Sequence, residues 1–129
     1  MAQEFDKFED IRLSVRSLCG NFPGEYWRDL DRKKSYPTQF VKTMTESGFL
    51  AVLIPEKYGG SGMGISAAAA ILEEIHKCGC NAAACHAQMY IMGTILRHGS
   101  NIQKSEYLPK IASGELRLQA FGVTEPTSG

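Results

Sequence analysis

The sequence carries no excess of charge of either sign: 14 basic side chains stand against 14 acidic ones, and no block of like charge forms a tail. That balance excludes the electrostatic footprint of a nucleic-acid or anionic-membrane binder. Long apolar runs are also missing. The best candidate, around Ala67 to Leu72, falls far short of the roughly 18 apolar residues that a bilayer span needs. The start, Met1-Ala2-Gln3-Glu4-Phe5-Asp6-Lys7, has neither the basic and apolar stretches of a secretory signal nor the Arg/Ser-rich character of a transit peptide. A cytoplasmic, bacterial-type location is expected.

The soft-ligand residues lack the spacing of a metal site. His76, Cys78, Cys80, Cys85 and His86 cluster, but structural zinc needs knuckles paired with a second, distant pair of ligands, and none follows. No metal is assigned, and the cysteines read as buried or turn residues in a reducing compartment, with Cys19 isolated and no disulfide framework. Cys85 and His86 are adjacent, so on a helix they diverge by about 100° and cannot work as a nucleophile and base. Glu73 and Glu74 are neighbours near a helix end, where carboxylates are usually solvated or support a partner's Lys. The glycines of "YGGSGMG" are not followed by the Lys-Ser/Thr of a phosphate loop, which leaves them as a flexible connection expected to set Ile54, Pro55 and Tyr58 beneath the next helix.

What is present is helical periodicity in a chain of 129 residues, enough for one domain with a real core. Phe5, Phe8, Ile11, Val15 and Leu18 predict an amphipathic helix stopped near Gly20. After Phe22-Pro23-Gly24 a short helical turn is expected over Glu25 to Leu30, with Trp27 covering some core and Asp31 to Lys34 as a solvated loop. A helix should start at Pro37 and end at Ser47-Gly48, turning Phe40, Val41 and Met44 inward. Ser66 can cap an Ala-rich helix through Lys77, closed by Gly79. A charge-poor helix follows from about Asn81 to Arg97, apolar nearly all round, as expected of one that is buried or lines an apolar pocket. Asn101 caps Ile102 to Tyr107, Pro109 starts or kinks a last turn, and Ser113-Gly114 stops it.

The period then changes. Leu116, Leu118 and Ala120 alternate with Arg117, Gln119 and Phe121, a strand pattern, and the chain ends in the turn-rich "FGVTEPTSG". A lone strand cannot satisfy its own backbone groups, so its sheet is expected beyond Gly129. The expected fold is mainly α: an up-and-down helical bundle domain over residues 1–115, with 116–129 as the first strand and turn of a missing β-domain.

Four motifs in this order, "LAVLIPEKYGGSGMG", "EEI" at Glu73 to Ile75, "GSNIQKSEYLPKIASGE" and "QAFGVTEPTSG", resemble the N-terminal helical domain of the acyl-CoA dehydrogenases running into the first strand of their β-domain. The most specific part is an aromatic, two residues, then Thr-Glu-Pro-x-x-Gly, here Phe121 to Gly129. The family's Ser-Asp pair after it lies outside this sequence. The resemblance implies an FAD enzyme of fatty acid metabolism that dehydrogenates an acyl-CoA thioester between its α and β carbons, a carboxylate removing the α-proton while flavin N5 accepts the β-hydride. It implies a cofactor-binding set of Phe121, Val123, Thr124 and Gly129, the last where the acyl-CoA pantetheine approaches. It also implies an acyl-pocket wall on the helix from Ala82 to Arg97, with His86, Gln88, Met89 and Met92 as substrate-binding residues. The family's catalytic Glu lies downstream of Gly129, so no residue is assigned that role and this segment alone is expected to be inactive. A homo-oligomer, tetramer or dimer, with electron-transfer flavoprotein as acceptor is implied as well. Two other readings stay open: a helical docking module completed by a partner's sheet, and a related flavin-dependent acyl-CoA oxidase or monooxygenase.

Overall fold

A computed structural model describes residues 6–128, so Phe5 and Gly129 lie outside the described residues. These residues form six α-helices: α1 Glu9–Cys19, α2 Gly24–Lys33, α3 Thr38–Glu46, α4 Ile65–Lys77, α5 Ala83–His98 and α6 Asn101–Ser113. Two 3-10 turns, Phe49–Ala51 and Glu56–Tyr58, interrupt the connection from α3 to α4. The protein is mainly α, and no helix among the described residues is long and apolar enough to cross a membrane.

Several helix ends differ from their sequence expectation for identifiable reasons. The second helix is not a short turn. It takes in Asp31, Arg32 and Lys33, because Glu25 bridges Arg28 at 2.9 Å and Arg32 at 3.1 Å while Asp29 holds Lys33 at 2.8 Å. Such pairs each support a surface helix modestly, and Lys34 ends it with φ of 51°. Pro37 is the N-cap of α3 and not its first residue. On α4 the cap is Gly64, which leaves Ser66 inside the first turn. Ser100, not Asn101, caps α6: its hydroxyl accepts from the Gln103 N–H at 3.2 Å, and the Gln103 side chain accepts from the Ser100 N–H at 2.8 Å. Pro109 sits inside α6 without ending it, and Gly114 closes the helix with φ of 81°.

Two apolar cores hold the helices. In the larger, Val15 and Cys19 of α1, Phe40, Val41 and Met44 of α3, Ile71 and Ile75 of α4, and Cys85 and Met89 of α5 pack together. Phe22, Tyr26, Trp27 and Phe40 add edge-to-face ring contacts, and the Trp27 indole N–H donates to the Phe22 carbonyl at 3.1 Å. The smaller core joins Ala51 and Ile54 to Met92 of α5 and to Leu108 and Ile111 of α6. Burying any one of these large aliphatic side chains stabilises the fold by about 1.5–3 kcal/mol.

The glycine-rich loop is tied down. Ser61, Gly62 and Met63 donate backbone N–H groups to the carbonyls of Ala51, Ile54 and Val52 at 3.3, 2.8 and 2.8 Å. Gly60 passes so close that a Cβ there would stand 2.0 Å from the Ile54 carbonyl oxygen. Ile54 and Tyr58 accordingly pack against α5 and α6, not beneath α4. Past α6, residues 116–124 form no ladder: bonds of that kind need a neighbouring strand, and the described residues contain none beyond the isolated antiparallel bridge between Glu125 and Ser128.

Candidate functional site: a cleft between α4 and α5 beside an exposed turn

Two consecutive helices of small residues leave a gap on their outer side. Ala68, Ala69 and Leu72 of α4 face Met89 and Gly93 of α5 across an open cleft of about 500 Å³, whose rim carries His86, Tyr90, Arg97 and His98. The α5 residues 86, 89, 90, 93 and 97 recur at helical spacing and therefore share one face. Among the described residues no carboxylate lines the cleft. Its walls are apolar and its rim charge is cationic, a combination suited to a long apolar group attached to an anionic head.

The segment after α6 is fastened to the helices and meets this cleft at Tyr90. Leu116 and Leu118 rest on the smaller core, and the Leu116 N–H donates to the Lys110 carbonyl at 3.0 Å. The Arg117 guanidinium donates to the Thr45 hydroxyl at 3.1 Å, and the Gln119 amide donates to the Ala84 carbonyl at 3.2 Å and the Tyr36 hydroxyl at 2.8 Å. The Tyr90 hydroxyl donates to the Gln119 carbonyl at 3.2 Å, and its ring meets Phe121 edge to face, centroids 5.0 Å apart. Beyond that point the chain stands in solvent, with Phe121 63% and Val123 65% exposed. Among the described residues, the backbone N–H groups from Phe121 to Thr124 donate to no protein acceptor.

The family model described as "Acyl-CoA dehydrogenase, N-terminal domain" matches residues 6–115. The chain belongs to the acyl-CoA dehydrogenase family. It is 34% identical over 127 residues to an acyl-CoA dehydrogenase of Mycobacterium tuberculosis, covering 98% of this chain and 32% of that protein. Against the glutaryl-CoA dehydrogenase of Desulfococcus multivorans it is 41% identical over 125 residues, covering 92% of this chain and 32% of that protein. A short-chain-specific acyl-CoA dehydrogenase of Clostridium acetobutylicum is 29% identical over 123 residues, covering 94% and 32%. The chain thus spans about a third of the length of these acyl-CoA dehydrogenases.

The residues expected to form the site fall into separate groups. His86 and Met89 line the cleft. Gln88 lies about 200° around the helix from His86 and Met92 about 240°, so both point away from the cleft. Met92 belongs to the core beneath Ile54, Leu108 and Ile111. Gln88 is 1% exposed, and neither its amide oxygen nor its amide nitrogen has a hydrogen-bond partner among the described residues. Phe121, Val123 and Thr124 come together as one exposed strip, while Gly129 lies outside the described residues.

The soft-ligand cluster does not converge on a metal site among the described residues. Cys85 is buried and His86 exposed, which keeps them apart. All four cysteines are free. The Cys80 thiol faces the Cys19 and Phe22 carbonyls at 4.0 and 3.8 Å, and burial pushes the Cys19 and Cys80 thiols up from their ordinary range. Burial likewise pushes Cys85 up to about 12. Of the two carboxylates expected to be solvated or to support a Lys, Glu73 is exposed and meets Lys77 at 3.3 Å, whereas Glu74 is buried and paired with Arg16 of α1. Tyr90 escaped the sequence reading altogether. Its position four residues beyond His86, on the same helical face, was the available signal.

Proposed function

We propose that this protein is an FAD-dependent acyl-CoA dehydrogenase, in which residues 1–115 supply one wall of the acyl site and residues 116–129 open the flavin-binding β-domain. The observation that carries the reading is the meeting of an apolar cleft and the exposed Phe121–Thr124 strip at one side chain, Tyr90. The strip's donor set fits a flavin. Phe121 and Val123 offer apolar faces to a flat ring, and the Thr124 hydroxyl and adjacent N–H groups offer donors to its polar edge. When bound, FAD supplies the two-electron oxidant for the β-hydrogen.

The chain's own residues bind and orient. The cleft takes the acyl chain against Met89, Ala69 and Leu72, removing it from water, and His86 stands at the rim beside Tyr90. Gln88 and Met92 support that wall from behind. The base that takes the α-proton is a glutamate of the family's C-terminal helical domain, so none of the residues described acts as acid or base. Electron-transfer flavoprotein as acceptor, a homo-oligomeric assembly and a cytoplasmic location complete the proposal.

The test is the visible spectrum of the purified protein, expressed from its complete reading frame, recorded anaerobically before and after a panel of acyl-CoA thioesters. Flavin bands that bleach with one thioester, and recover when electron-transfer flavoprotein is added, are the expected result. A colourless protein that takes up no FAD would overturn the reading.

A further inference from the structure

We propose that Tyr90 is a positioning residue that holds the flavin-contact strip to the wall of the acyl cleft. The inference rests on the flavin reading above and assigns one side chain to two sites. Tyr90 lines the cleft, donates its hydroxyl to the Gln119 carbonyl at 3.2 Å, and sets its ring at 89° to that of Phe121. On its other side the His86 ring packs against it at 5.2 Å, so the three rings form a continuous row from cleft rim to strip.

The order of the tethers shows why Tyr90 matters more than its neighbours. Arg117 is fastened to Thr45 and Gln119 to Ala84, but both attachments precede Phe121. After Phe121 the next hydrogen bond within the described chain is the local bridge between Glu125 and Ser128, which fastens the turn only to itself. Gly122 follows Phe121 at once, with open space around it, and a glycine there lets the backbone swing. The point from which Val123 and Thr124 leave the wall is therefore set by whatever holds Phe121 and Gln119, and Tyr90 touches both, sharing Gln119 with Ala84 and Tyr36. A group seated in the cleft rests on the same ring. Its binding and the placement of the strip are thereby coupled through one side chain.

Two substitutions separate the ring from the hydroxyl. Tyr90→Phe keeps the ring row and loses the bond to Gln119, and Tyr90→Leu loses both. Limited trypsinolysis reads the release of the segment leading into the strip, residues 118–121, through cleavage after Arg117, with cleavage after the exposed Lys57 as internal control. A ring pair and a hydrogen bond of ordinary strength predict that cleavage after Arg117 accelerates about fivefold in Tyr90→Phe and roughly twentyfold in Tyr90→Leu, with Lys57 unchanged. FAD titration of the same proteins should show the dissociation constant rising in the same order, Tyr90→Phe restoring most of what Tyr90→Leu loses.

Unchanged cleavage after Arg117 in Tyr90→Leu, or cleavage that rises only in step with Lys57, overturns the tether. Wild-type protein that binds FAD, beside a Tyr90→Leu variant that binds it equally well, overturns the positioning role and leaves the flavin reading standing. Wild-type protein that binds no FAD, while Tyr90→Leu still opens Arg117, overturns the flavin reading and reduces Tyr90 to a packing contact.

Discussion

Glu74, 1% exposed on α4, accepts a hydrogen bond from the Arg16 guanidinium of α1 at 2.7 Å. Arg12, which spans Asp6 and Glu73 at 2.6 and 2.8 Å, approaches the same carboxylate at 3.8 Å. Among the described residues the far oxygen of Glu74 has no hydrogen-bond partner. A buried carboxylate held chiefly by the half-exposed Arg16 makes the two halves of this pair unequal. Removing the acid with a similar volume of hydrocarbon relieves a desolvation cost, whereas removing the cations leaves a charge out of water. Glu74→Leu is expected to change stability by no more than about 1 kcal/mol, and the double variant Arg12→Ala, Arg16→Ala to lose clearly more. Urea denaturation of both checks the order, and the reverse order would sink the argument.

The same contact sets an acid limit. The hydrogen bond from Arg12 is the main cause holding Glu73 below its ordinary value of 4.5, and that from the Phe8 N–H holds Asp6 below 3.8. Carboxylates lowered in the folded state contribute stability above those values and lose it as pH falls through the folded ones. Thermal melts from pH 6 downward should show the midpoint falling below about pH 4.5, with a shallower fall in Arg12→Ala.

A third prediction concerns the approach of Gly60 to the turn before it. A methyl group there meets the Ile54 carbonyl at 2.0 Å and the Ala51 carbonyl at 2.5 Å, both backbone atoms that cannot rotate away. Gly60→Ala should therefore cost about 3 kcal/mol or more, at the upper end of overpacking. At Gly64 nothing lies within 4 Å of the added carbon, and Gly64→Ala should cost much less. Calorimetry on the pair gives the comparison. Equal melting temperatures would mean that the loop moves aside.

The helices were legible where one residue type decides the matter, as Gly114 does for the end of α6 and Phe40, Val41 and Met44 do for the inner face of α3. Legibility failed where the deciding partner is distant in sequence or several contacts act together. Asp31 to Lys33 read as a polar loop because composition does not show that Glu25 and Asp29 are spaced to meet Arg32 and Lys33 on a helix. Glu74 read as solvated or as support for a Lys because its arginines lie on α1, 58 and 62 residues earlier. In the candidate site, the exposed strip was legible as a motif. The cleft was legible only on its α5 side, since Ala68, Ala69 and Leu72 read as helix packing until α5 is laid beside them.

Gln88 offers a test that separates core from site. Its amide is buried with neither polar atom bonded among the described residues, and an unsatisfied buried amide costs stability that an apolar side chain of similar shape does not. Gln88→Met should raise stability by about 1 kcal/mol in equilibrium denaturation. Lower stability would show that the amide is bonded in the working protein. A selective rise in KM for acyl-CoA, with kcat unchanged, would put Gln88 at the substrate in spite of its direction on α5.

The cysteines make the alkaline side of the stability profile predictable. Burial holds Cys85 at about 12, against an ordinary value of 9.0, and pushes Cys19 and Cys80 up as well. A thiol whose folded value is raised stays neutral in the core while the unfolded chain ionises, so its contribution is complete below about 9.0 and is lost as pH rises from there towards 12. Stability should therefore decline from pH 9 upward, and Cys85→Ala should flatten that decline even as it lowers stability at pH 7 by opening a small cavity. Alkylation follows the same burial. At pH 8 the half-buried Cys78 should react with iodoacetamide well before Cys19, Cys80 and Cys85, whose modification waits on unfolding. Mass spectrometry of partly alkylated protein decides it: Cys85 modified at the rate of Cys78, with the fold intact by circular dichroism, would place that thiol in contact with solvent and remove the basis for the alkaline prediction.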